Sequence, residues 1–357
     1  MTLPNFPKPS DPRFSCGPTR KPSGWSLDSI NKEYLGRYHR SDDVKNYVEK
    51  QIQRIKKILK IPNDYELLLT PGSCTLAMES VIWCLLGDRK ITSIIYDYWG
   101  KTWFEDLKKL DLDIDKRILL DGNMPDLSNI PLKNDVLFVW TGTSTGISVS
   151  NLDFLNEQHQ GLVISDITSA AFIYDLPWPK LDVCVFSWQK ALGSESQHGV
   201  IVLSPKAKKK LRKINLPKIL DICNHDYVIN TPSLLTISDL EHCLDLYEAK
   251  GGLKNASKIC NENKKILDDW ESKNNYVKHF VRNKSFQALS PVYLVFKDFF
   301  KHSELFQFLS ENKIAYDIKN YRKAKPGIRI WTGPNILKND LIALTNWLDW
   351  CFNKFIK

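Results

Sequence analysis

The sequence has no apolar run long enough to cross a membrane. A spanning helix needs roughly 20 consecutive apolar residues, and the run VIWCLL at 81–86 is among the longest in the chain. The first residues contain no hydrophobic signal region and do not resemble an amphipathic transit peptide. We therefore predict a protein without a membrane anchor and with a cytoplasmic location.

The sequence also lacks the cysteine patterns of a metal site or a disulfide scaffold. Its eight cysteines, at positions 16, 74, 84, 184, 223, 243, 260 and 351, are scattered and include no CxxC pair. Structural zinc sites and disulfide frameworks both use cysteines at characteristic spacings. We predict no metal site and a reducing compartment.

A basic segment typical of nucleic-acid binding is missing as well, although the net charge is +9. The positive charge is mostly lysine spread over helical stretches such as KAKKKLR at 206–212. No basic stripe alternates with aromatic residues, and no nucleic-acid-binding module is visible. The charge therefore indicates a solvated surface, with no nucleic-acid partner and a modest attraction for anionic substrates.

Strands and helices alternate over most of the chain. From about 65 to 205, short apolar runs are separated by helical stretches, including predicted helices at about 75–86 and 101–110. Such alternation predicts an α/β fold with a mostly parallel sheet that is covered on both faces. A long helical segment follows at about 233–270.

The pattern changes after that segment, which indicates a second, smaller lobe, as the length of 357 residues also suggests. Strands are predicted at 292–296 and 328–331, and a final helix carries Leu341, Leu344, Leu348 and Cys351 on one face. The predicted division is an N-terminal arm at 1–20, a large domain at 21–255 and a small domain at 256–357.

Two of the apolar runs end in residues that could perform chemistry. The run LVISD ends in Asp166, and the run VCVFSWQK ends in Lys190. Ligands bind at the carboxyl ends of strands in parallel sheets. An amine there can form a Schiff base with an aldehyde cofactor, and an acid can keep a pyridine nitrogen protonated. A single lysine at such a position would be interpreted first as a surface lysine at a strand end, but the residues around Lys190 favour pyridoxal-phosphate chemistry.

Two small polar loops follow other predicted strands. The turn PGSCT at 71–75, with Gly72 and Ser73, precedes a helix, whose first N–H groups and dipole could hold a phosphate. The loop TGTSTG at 141–146 contains Thr143. Either loop could be an ordinary turn. Trp99 follows a third strand and could stack on a planar ring or belong to the core, whereas Trp103 is predicted to be a packing residue.

Three basic residues are candidate anion ligands. His39-Arg40 and Arg329 could bind carboxylate or phosphate, because the guanidinium of arginine presents a planar fork of donors. A surface salt bridge is the alternative for each arginine. His198, which follows Lys190 closely, is predicted to be structural.

Six segments, taken in order and at their spacing, resemble the phosphoserine aminotransferase family, which belongs to the class V, fold-type I pyridoxal-phosphate enzymes. They are FSCGP at 14–18, HRS at 39–41, SDITS at 165–169, WQK at 188–190, NTPS at 230–233 and GIRIW at 327–331. The resemblance covers nearly the whole chain and is strongest to the divergent bacterial and archaeal branch. It implies a seven-stranded, mostly parallel sheet and a small C-terminal α/β domain.

The resemblance also implies residue roles around pyridoxal 5′-phosphate. Lys190 would be the Schiff-base lysine, Asp166 the partner of the ring nitrogen, Trp99 the residue on the ring face and Thr143 the neighbour of the ring hydroxyl. Gly72, Ser73 and Gln189 would hold the cofactor phosphate. Asn230 and Thr231 would reach the phosphate in the other subunit of a homodimer with shared sites. Arg329 would bind the substrate α-carboxylate, and His39, Arg40 and Arg322 would bind the distal anion.

One departure from the family concerns the phosphate pocket. A well-known branch has arginine in the turn at 72–73 and a His-Arg pair before the carboxylate arginine, where this chain has Ser73 and Tyr321-Arg322-Lys323. The implied reaction is 3-phosphohydroxypyruvate + L-glutamate ⇌ O-phospho-L-serine + 2-oxoglutarate, which belongs to serine and pyridoxine biosynthesis.

The alternatives are serine–glyoxylate or alanine–glyoxylate transamination, and then cysteine desulfuration. A catalytically inactive, cofactor-binding regulator is the alternative from another class. It would carry a DNA-binding module or lack Lys190 or Asp166, and this sequence shows neither feature.

Overall fold

The computed structural model describes residues 4–212, 215–223, 228–297 and 302–355. In chain order, the helices and strands are α1 (Asp42–Ile58), β1 (Glu66–Pro71), α2 (Ser73–Leu85), β2 (Ile91–Ile95), α3 (Tyr98–Lys109), β3 (Ile114–Ile118), β4 (Asp135–Val139), β5 (Thr141–Gly142), β6 (Ile147–Ser148), β7 (Val163–Asp166), β8 (Val183–Phe186), β9 (His198–Leu203), α4 (Pro205–Lys208), α5 (Leu234–Ala249), α6 (Gly252–Glu271), β10 (Val277–His279), β11 (Val292–Phe296), α7 (His302–Glu311), β12 (Gly327–Ile330) and α8 (Lys338–Phe355).

A seven-stranded sheet forms the centre of the large lobe, with the strand order β1-β9-β8-β7-β4-β2-β3. Only β9 runs against the other six strands. Along β4, Val136 and Phe138 belong to one apolar cluster, and Leu137 and Val139 belong to a second one. Side chains alternate between the faces of a strand, so both faces of this sheet are covered. The predicted α/β fold with a mostly parallel seven-stranded sheet is confirmed.

The C-terminal part of the chain forms a second, antiparallel sheet with the order β10-β11-β12. Helices α6, α7 and α8 accompany it, and the four predicted residues on the apolar face of α8 are fully buried: Leu341, Leu344, Leu348 and Cys351. The domain boundary predicted at 255/256 falls in the first turn of α6 and stays a prediction. None of the described helices is both long and apolar enough to span a bilayer.

Some predicted boundaries differ from the structure. The helical segment at 233–270 is two helices, because Gly251 (φ 92°) and Gly252 (φ 60°) adopt left-handed backbone that interrupts an α-helix. Helix α3 begins at Tyr98 and not near 101, because Asp97 caps it. Strand β3 (IDKRI) was not predicted. It is an edge strand whose polar residues give no buried pattern.

The predicted arm, of which residues 4–20 are described, runs along the small lobe and ends beside the large one. Two backbone hydrogen bonds join it to the small lobe. Tyr316 N–H donates to the carbonyl oxygen of Pro12 at 2.7 Å, and Trp331 N–H donates to that of Phe14 at 3.0 Å. A buried ion pair joins Arg20 to Asp340 at 2.7 Å. These contacts bring the backbone of residues 16–19 next to the segment that follows β8.

Candidate active site

A cavity of about 200 Å³ opens where β4, β7 and β8 end. Six of the residues predicted from the sequence line it: Ser73, Trp99, Thr143, Asp166, Gln189 and Lys190. They come from five separate stretches of the chain and meet because parallel strands end at the same edge of the sheet. This edge is therefore the candidate active site.

Lys190 points into the cavity with its side chain almost completely buried, at 9 % exposure. Its Nζ donates a hydrogen bond to the carbonyl oxygen of Cys16 at 2.5 Å. A Cβ on Gly17 would lie 2.3 Å from Nζ, so the glycine makes room for the amine. Burial lowers the pKa of Lys190 to about 8, and nearby Arg329 also lowers it. The amine is thus closer to its neutral, nucleophilic form at neutral pH than an exposed lysine.

Asp166 is the last residue of β7 and is 5 % exposed. Its Oδ1 accepts a hydrogen bond from Thr168 N–H at 2.9 Å, and its Oδ2 accepts one from Trp103 Nε1–H at 3.2 Å. Two donors from different segments therefore fix the orientation of the carboxylate in the cavity. Trp103, predicted to be a packing residue, is buried as expected but also lines the cavity and orients this acid.

The turn between β1 and α2 provides a helix N-terminus at the cavity wall. Gly72 and Ser73 both have positive φ, at 73° and 60°, and Gly72 caps α2 without any side-chain bond to the first N–H groups. Ser73 Oγ donates to Ser187 Oγ at 2.9 Å. Free N–H groups at the start of a helix attract anions, and this helix has 13 residues.

Buried polar atoms without partners face the same cavity. Of the buried side-chain atoms that have no hydrogen-bond partner among the described residues, two belong to residues that line the cavity, Gln189 Oε1 and Thr168 Oγ1. Buried polar atoms are nearly always paired in folded proteins, so these two atoms indicate a polar ligand. Together with the helix N-terminus, the buried acid and the tryptophan, they fit a planar, phosphorylated, nitrogen-containing ring such as pyridoxal phosphate.

Arg329 approaches the cavity from the small lobe and bonds to Thr143, which lines the cavity, although Arg329 itself does not. It lies on β12, is 9 % exposed, and its Nη1 donates to the carbonyl oxygen of Thr143 at 3.0 Å. Its Nε has no partner among the described residues, and its guanidinium carbon lies 5.0 Å from the ring centroid of Tyr321. Thr143 Oγ1 is 2.5 Å from Ser169 Oγ. Arg329 therefore keeps a free donor beside the residues of the large lobe.

Gly72 and the remaining predicted ligands also do not line this cavity in the single chain. Arg40, Asn230 and Thr231 are exposed, and His39 is partly exposed before α1. Arg322 is also exposed; its guanidinium lies 4.7 Å from the ring centroid of Tyr98 and donates to the Tyr98 hydroxyl. The roles given to these residues stay predictions.

His198 has the contacts of a structural residue. The buried ring accepts from Ser233 N–H at Nε2 (3.1 Å), so its proton lies on Nδ1, 3.3 Å from the carbonyl oxygen of Thr70. Burial lowers its pKa to about 4, which keeps the imidazole neutral. Through these two hydrogen bonds, His198 connects the segment after Asn230 to β1.

Sequence reasoning missed Thr168, which lines the cavity, and the Cys16 carbonyl, which accepts from Lys190, and it gave Trp103 a packing role only. The four-residue spacing of Trp99 and Trp103 places both on one helix face, which is a signal that could have identified Trp103. The Cys16 carbonyl could not be identified in this way, because every residue has a backbone carbonyl and the residue type does not show which one accepts a hydrogen bond.

Comparison with known proteins gives consistent relatives. No family model matches the chain. The phosphoserine aminotransferase of Methanosarcina mazei is 37% identical, in an alignment that covers 97% of this chain and 98% of the relative. That of Methanosarcina barkeri is 36% identical with the same coverage, and that of Rhodococcus jostii is 24% identical over 96% of this chain and 95% of the relative.

Solved structures share the fold at lower identity. A phosphoserine aminotransferase from Cytophaga hutchinsonii has a TM-score of 0.82 at 18% identity and covers 94% of this chain and 98% of its own. A pyridoxal-phosphate-bound phosphoserine aminotransferase from Trichomonas vaginalis has a TM-score of 0.78 at 16% identity, with coverages of 95% and 99%. A ureidoglycine–glyoxylate aminotransferase from Bacillus subtilis also matches, with a TM-score of 0.82 at 13% identity and coverages of 99% and 96%.

Proposed function

The chain belongs to the phosphoserine aminotransferase family, and we propose that it interconverts 3-phosphohydroxypyruvate and L-glutamate with O-phospho-L-serine and 2-oxoglutarate. The observation that carries the proposal is the cavity in which Lys190 and Asp166 meet at one sheet edge, in a chain that is 37% identical to a phosphoserine aminotransferase over 97% of its length. The cofactor is pyridoxal phosphate. The product serves serine biosynthesis, and a role in pyridoxine biosynthesis is a further expectation from the family.

The residues around the cavity would hold the cofactor by complementary contacts. Asp166 would face the ring nitrogen, Trp99 would cover the ring, and Thr143 would lie beside the ring hydroxyl. Ser73, the backbone at Gly72 and Gln189 would bind the phosphate. When bound, pyridoxal phosphate supplies an aldehyde that exchanges amines and a cationic ring that withdraws electrons from the substrate carbon.

Lys190 would act first as the amine that holds the cofactor and then as the base that moves a proton at the substrate Cα. Both tasks need a neutral amine, and the pKa of about 8 makes that form accessible near neutral pH. The Cys16 carbonyl, 2.5 Å from Nζ, gives the displaced amine an acceptor within the site. Asp166, oriented by two donors, would keep the ring nitrogen protonated through a charge-assisted hydrogen bond.

Arg329 would bind the α-carboxylate that all four substrates share. Within the described part of the chain its Nε lacks a partner, and its Nη1 donates to the carbonyl oxygen of Thr143, so the planar fork is held in place by the fold and still has a free donor. At the distal end, His39, Arg40 and Arg322 would bind phosphate in one substrate and carboxylate in the other. Arg322 would exchange its contact with Tyr98 for that anion.

Exposed Asn230 and Thr231 support a further part of the proposal, a homodimer with shared sites. In a single chain neither residue lines the cavity, while His198 holds their segment firmly through Ser233. Dimer formation and cofactor retention should then be linked by mass action. Dilution to monomer, followed by sedimentation and visible absorbance, should release the cofactor; an active monomer that keeps its cofactor would refute the shared site.

The proposal includes a cytoplasmic location. All eight cysteines fall within the described residues, and none of them forms a disulfide there. Cysteines left as thiols are typical of a reducing compartment. Fractionation of cells that produce the protein would test this part.

Glyoxylate-type transamination is the second candidate, because the fold alone does not separate the two activities. The same fold occurs in the ureidoglycine–glyoxylate enzyme above, whereas the relatives above 30% identity are phosphoserine aminotransferases. The ratio of kcat/KM for O-phospho-L-serine to that for L-serine decides between them. We expect a strong preference for the phosphorylated amino acid, and equal values would favour the glyoxylate reaction.

A further inference from the structure

Asp97 is a buried carboxylate that none of the roles above uses. It is fully buried, at 0 % exposure, and directly precedes α3. Its Oδ1 accepts the Gly100 N–H at 2.8 Å, which caps the helix. A helix cap accounts for the hydrogen bond of one carboxylate oxygen, but the second oxygen accepts a hydrogen bond from outside the helix.

The second oxygen joins α3 to the loop between β5 and β6. Ser144 Oγ–H donates to Asp97 Oδ2 at 3.2 Å, and the same Oγ accepts the Tyr98 N–H at 2.8 Å. Asp97 and Tyr98 are neighbours in the chain, so these two bonds close a small ring around the hydroxyl of Ser144. Ser144 is itself buried, at 2 % exposure, and water is therefore kept from both bonds.

Gly142 lets these segments approach so closely. A Cβ on Gly142 would lie 2.7 Å from the Cβ of Asp97. The loop and the helix start are thus packed against each other with no space between them. A residue of the same size and shape as aspartate fits this space, whereas a larger one does not.

The two joined segments carry two residues of the cofactor cavity. Trp99 is two positions after Asp97, and Thr143 is the residue before Ser144; both line the cavity. We propose that Asp97 and Ser144 form a positioning pair that fixes Trp99, over the ring of the cofactor, relative to Thr143, beside the ring hydroxyl. This inference rests on the proposed function for the roles of Trp99 and Thr143.

The chemistry of the pair explains why an acid is used. Each carboxylate oxygen accepts one hydrogen bond, so both donors are satisfied at once. Asparagine keeps one acceptor for Gly100, and its amide N–H can donate to Ser144 Oγ, which then turns its own proton elsewhere. Alanine removes both contacts. Ser144→Ala removes the link and the acceptor of the Tyr98 N–H but leaves the cap bond between Asp97 and Gly100, and it therefore separates the link from that cap.

A matched control exists at the opposite edge of the sheet. Ser204 Oγ donates to buried Asp182 at 3.0 Å and accepts Ala207 N–H at the start of α4 at 3.1 Å, and neither residue lines the cavity. Ser204→Ala thus removes a hydroxyl with the same kinds of contact, a carboxylate and a helix N–H, without touching the site.

The experiment measures the dissociation constant of pyridoxal phosphate from apoenzyme and the visible circular dichroism of the bound cofactor. Ser144→Ala should weaken binding by about tenfold to a hundredfold, the range for a lost hydrogen bond to a charged group, and change the dichroism. Ser204→Ala should alter neither quantity, although both variants lower the melting temperature of the apoenzyme. Asp97→Asn should restore most of the binding that Asp97→Ala loses.

Wild-type affinity and dichroism in Ser144→Ala would overturn the proposal, and so would a loss no larger than that of Ser204→Ala. The readouts do not depend on the amino acid substrate. If the wild-type enzyme failed to use phosphoserine while Ser144→Ala still bound the cofactor weakly, the proposed reaction would be wrong and the positioning pair would stand.

Discussion

The cofactor side of the candidate site and its distal anion side are built in opposite ways. On the cofactor side, Lys190, Asp166 and Thr143 are between 5 and 9 % exposed, lie at or just after strand ends and are held by several hydrogen bonds. On the distal side, Arg40 and Arg322 are exposed and lie outside the strands and helices. The first side is formed by the core of one chain, whereas the proposed distal side would need ligand or another subunit to complete its geometry.

This difference predicts where substitutions do most damage. A group held rigidly in a dry site contributes strongly to a transition state, because its orientation is already fixed. An exposed arginine must lose side-chain freedom and compete with water each time it binds. Changes on the cofactor side should therefore stop the reaction, and changes on the distal side should alter which substrate is preferred.

The largest effect is expected for Lys190→Ala. The variant loses the amine that holds the cofactor and the base that moves the proton, so turnover should fall by several orders of magnitude while cofactor still binds noncovalently. Borohydride reduction of the wild-type enzyme followed by peptide mapping should label Lys190. Lys206→Ala, which removes a lysine bonded to Asp182, is the control and should remain active. A label on another lysine would contradict the assignment.

The sequence is sufficient to find the rigid side but not the distal one. Asp166 and Lys190 each follow a buried apolar run, and the rule that parallel strands end at one sheet edge is enough to bring the two residues together. Arg322 and Arg40 lie in loops, where no periodicity fixes a neighbour, and only the family resemblance indicates them. Neither the strand-end rule nor the family resemblance identifies Asp97, because a single acid before a helix is indistinguishable in sequence from an ordinary helix cap.

Asp166→Asn should give the next largest effect. Asparagine keeps the size of the side chain but removes the charge that supports the protonated ring nitrogen. Breaking a buried charge pair costs roughly 3–5 kcal/mol, or about two to four orders of magnitude in rate if the interaction operates in the transition state. Half-reactions with glutamate should slow by this factor, while the melting temperature of the apoenzyme changes little. Near-wild-type turnover would exclude the role of Asp166.

The pKa of Lys190 gives a smaller, pH-dependent effect on the same side. Burial lowers that pKa to about 8, and only the neutral amine attacks an aldehyde. The rate at which apoenzyme attaches pyridoxal phosphate should therefore rise about tenfold per pH unit below 8 and level off above it. Stopped-flow absorbance between pH 6 and 10 measures this. A midpoint near the ordinary lysine value of about 10.4 would mean that burial does not activate the amine.

The smallest effects should come from the distal side, and they are the most informative about specificity. A hydrogen bond to a charged group contributes roughly 1.5–3 kcal/mol, and exposure of Arg40 and Arg322 reduces this, so each alanine variant should lose about tenfold in kcat/KM. The loss should be at least as large for phosphoserine as for glutamate, because phosphate carries more charge than the distal carboxylate. Arg329→Ala, on the buried side, should impair both substrates alike, and Arg89→Ala, near the opposite sheet edge, should impair neither.

If Arg40→Ala and Arg322→Ala left the preference for phosphoserine over serine unchanged, other groups would have to bind the phosphate. With Ser73 where a branch of the family has arginine, the remaining anion ligand would then have to come from residues that neither the sequence nor the single chain brings to the cavity.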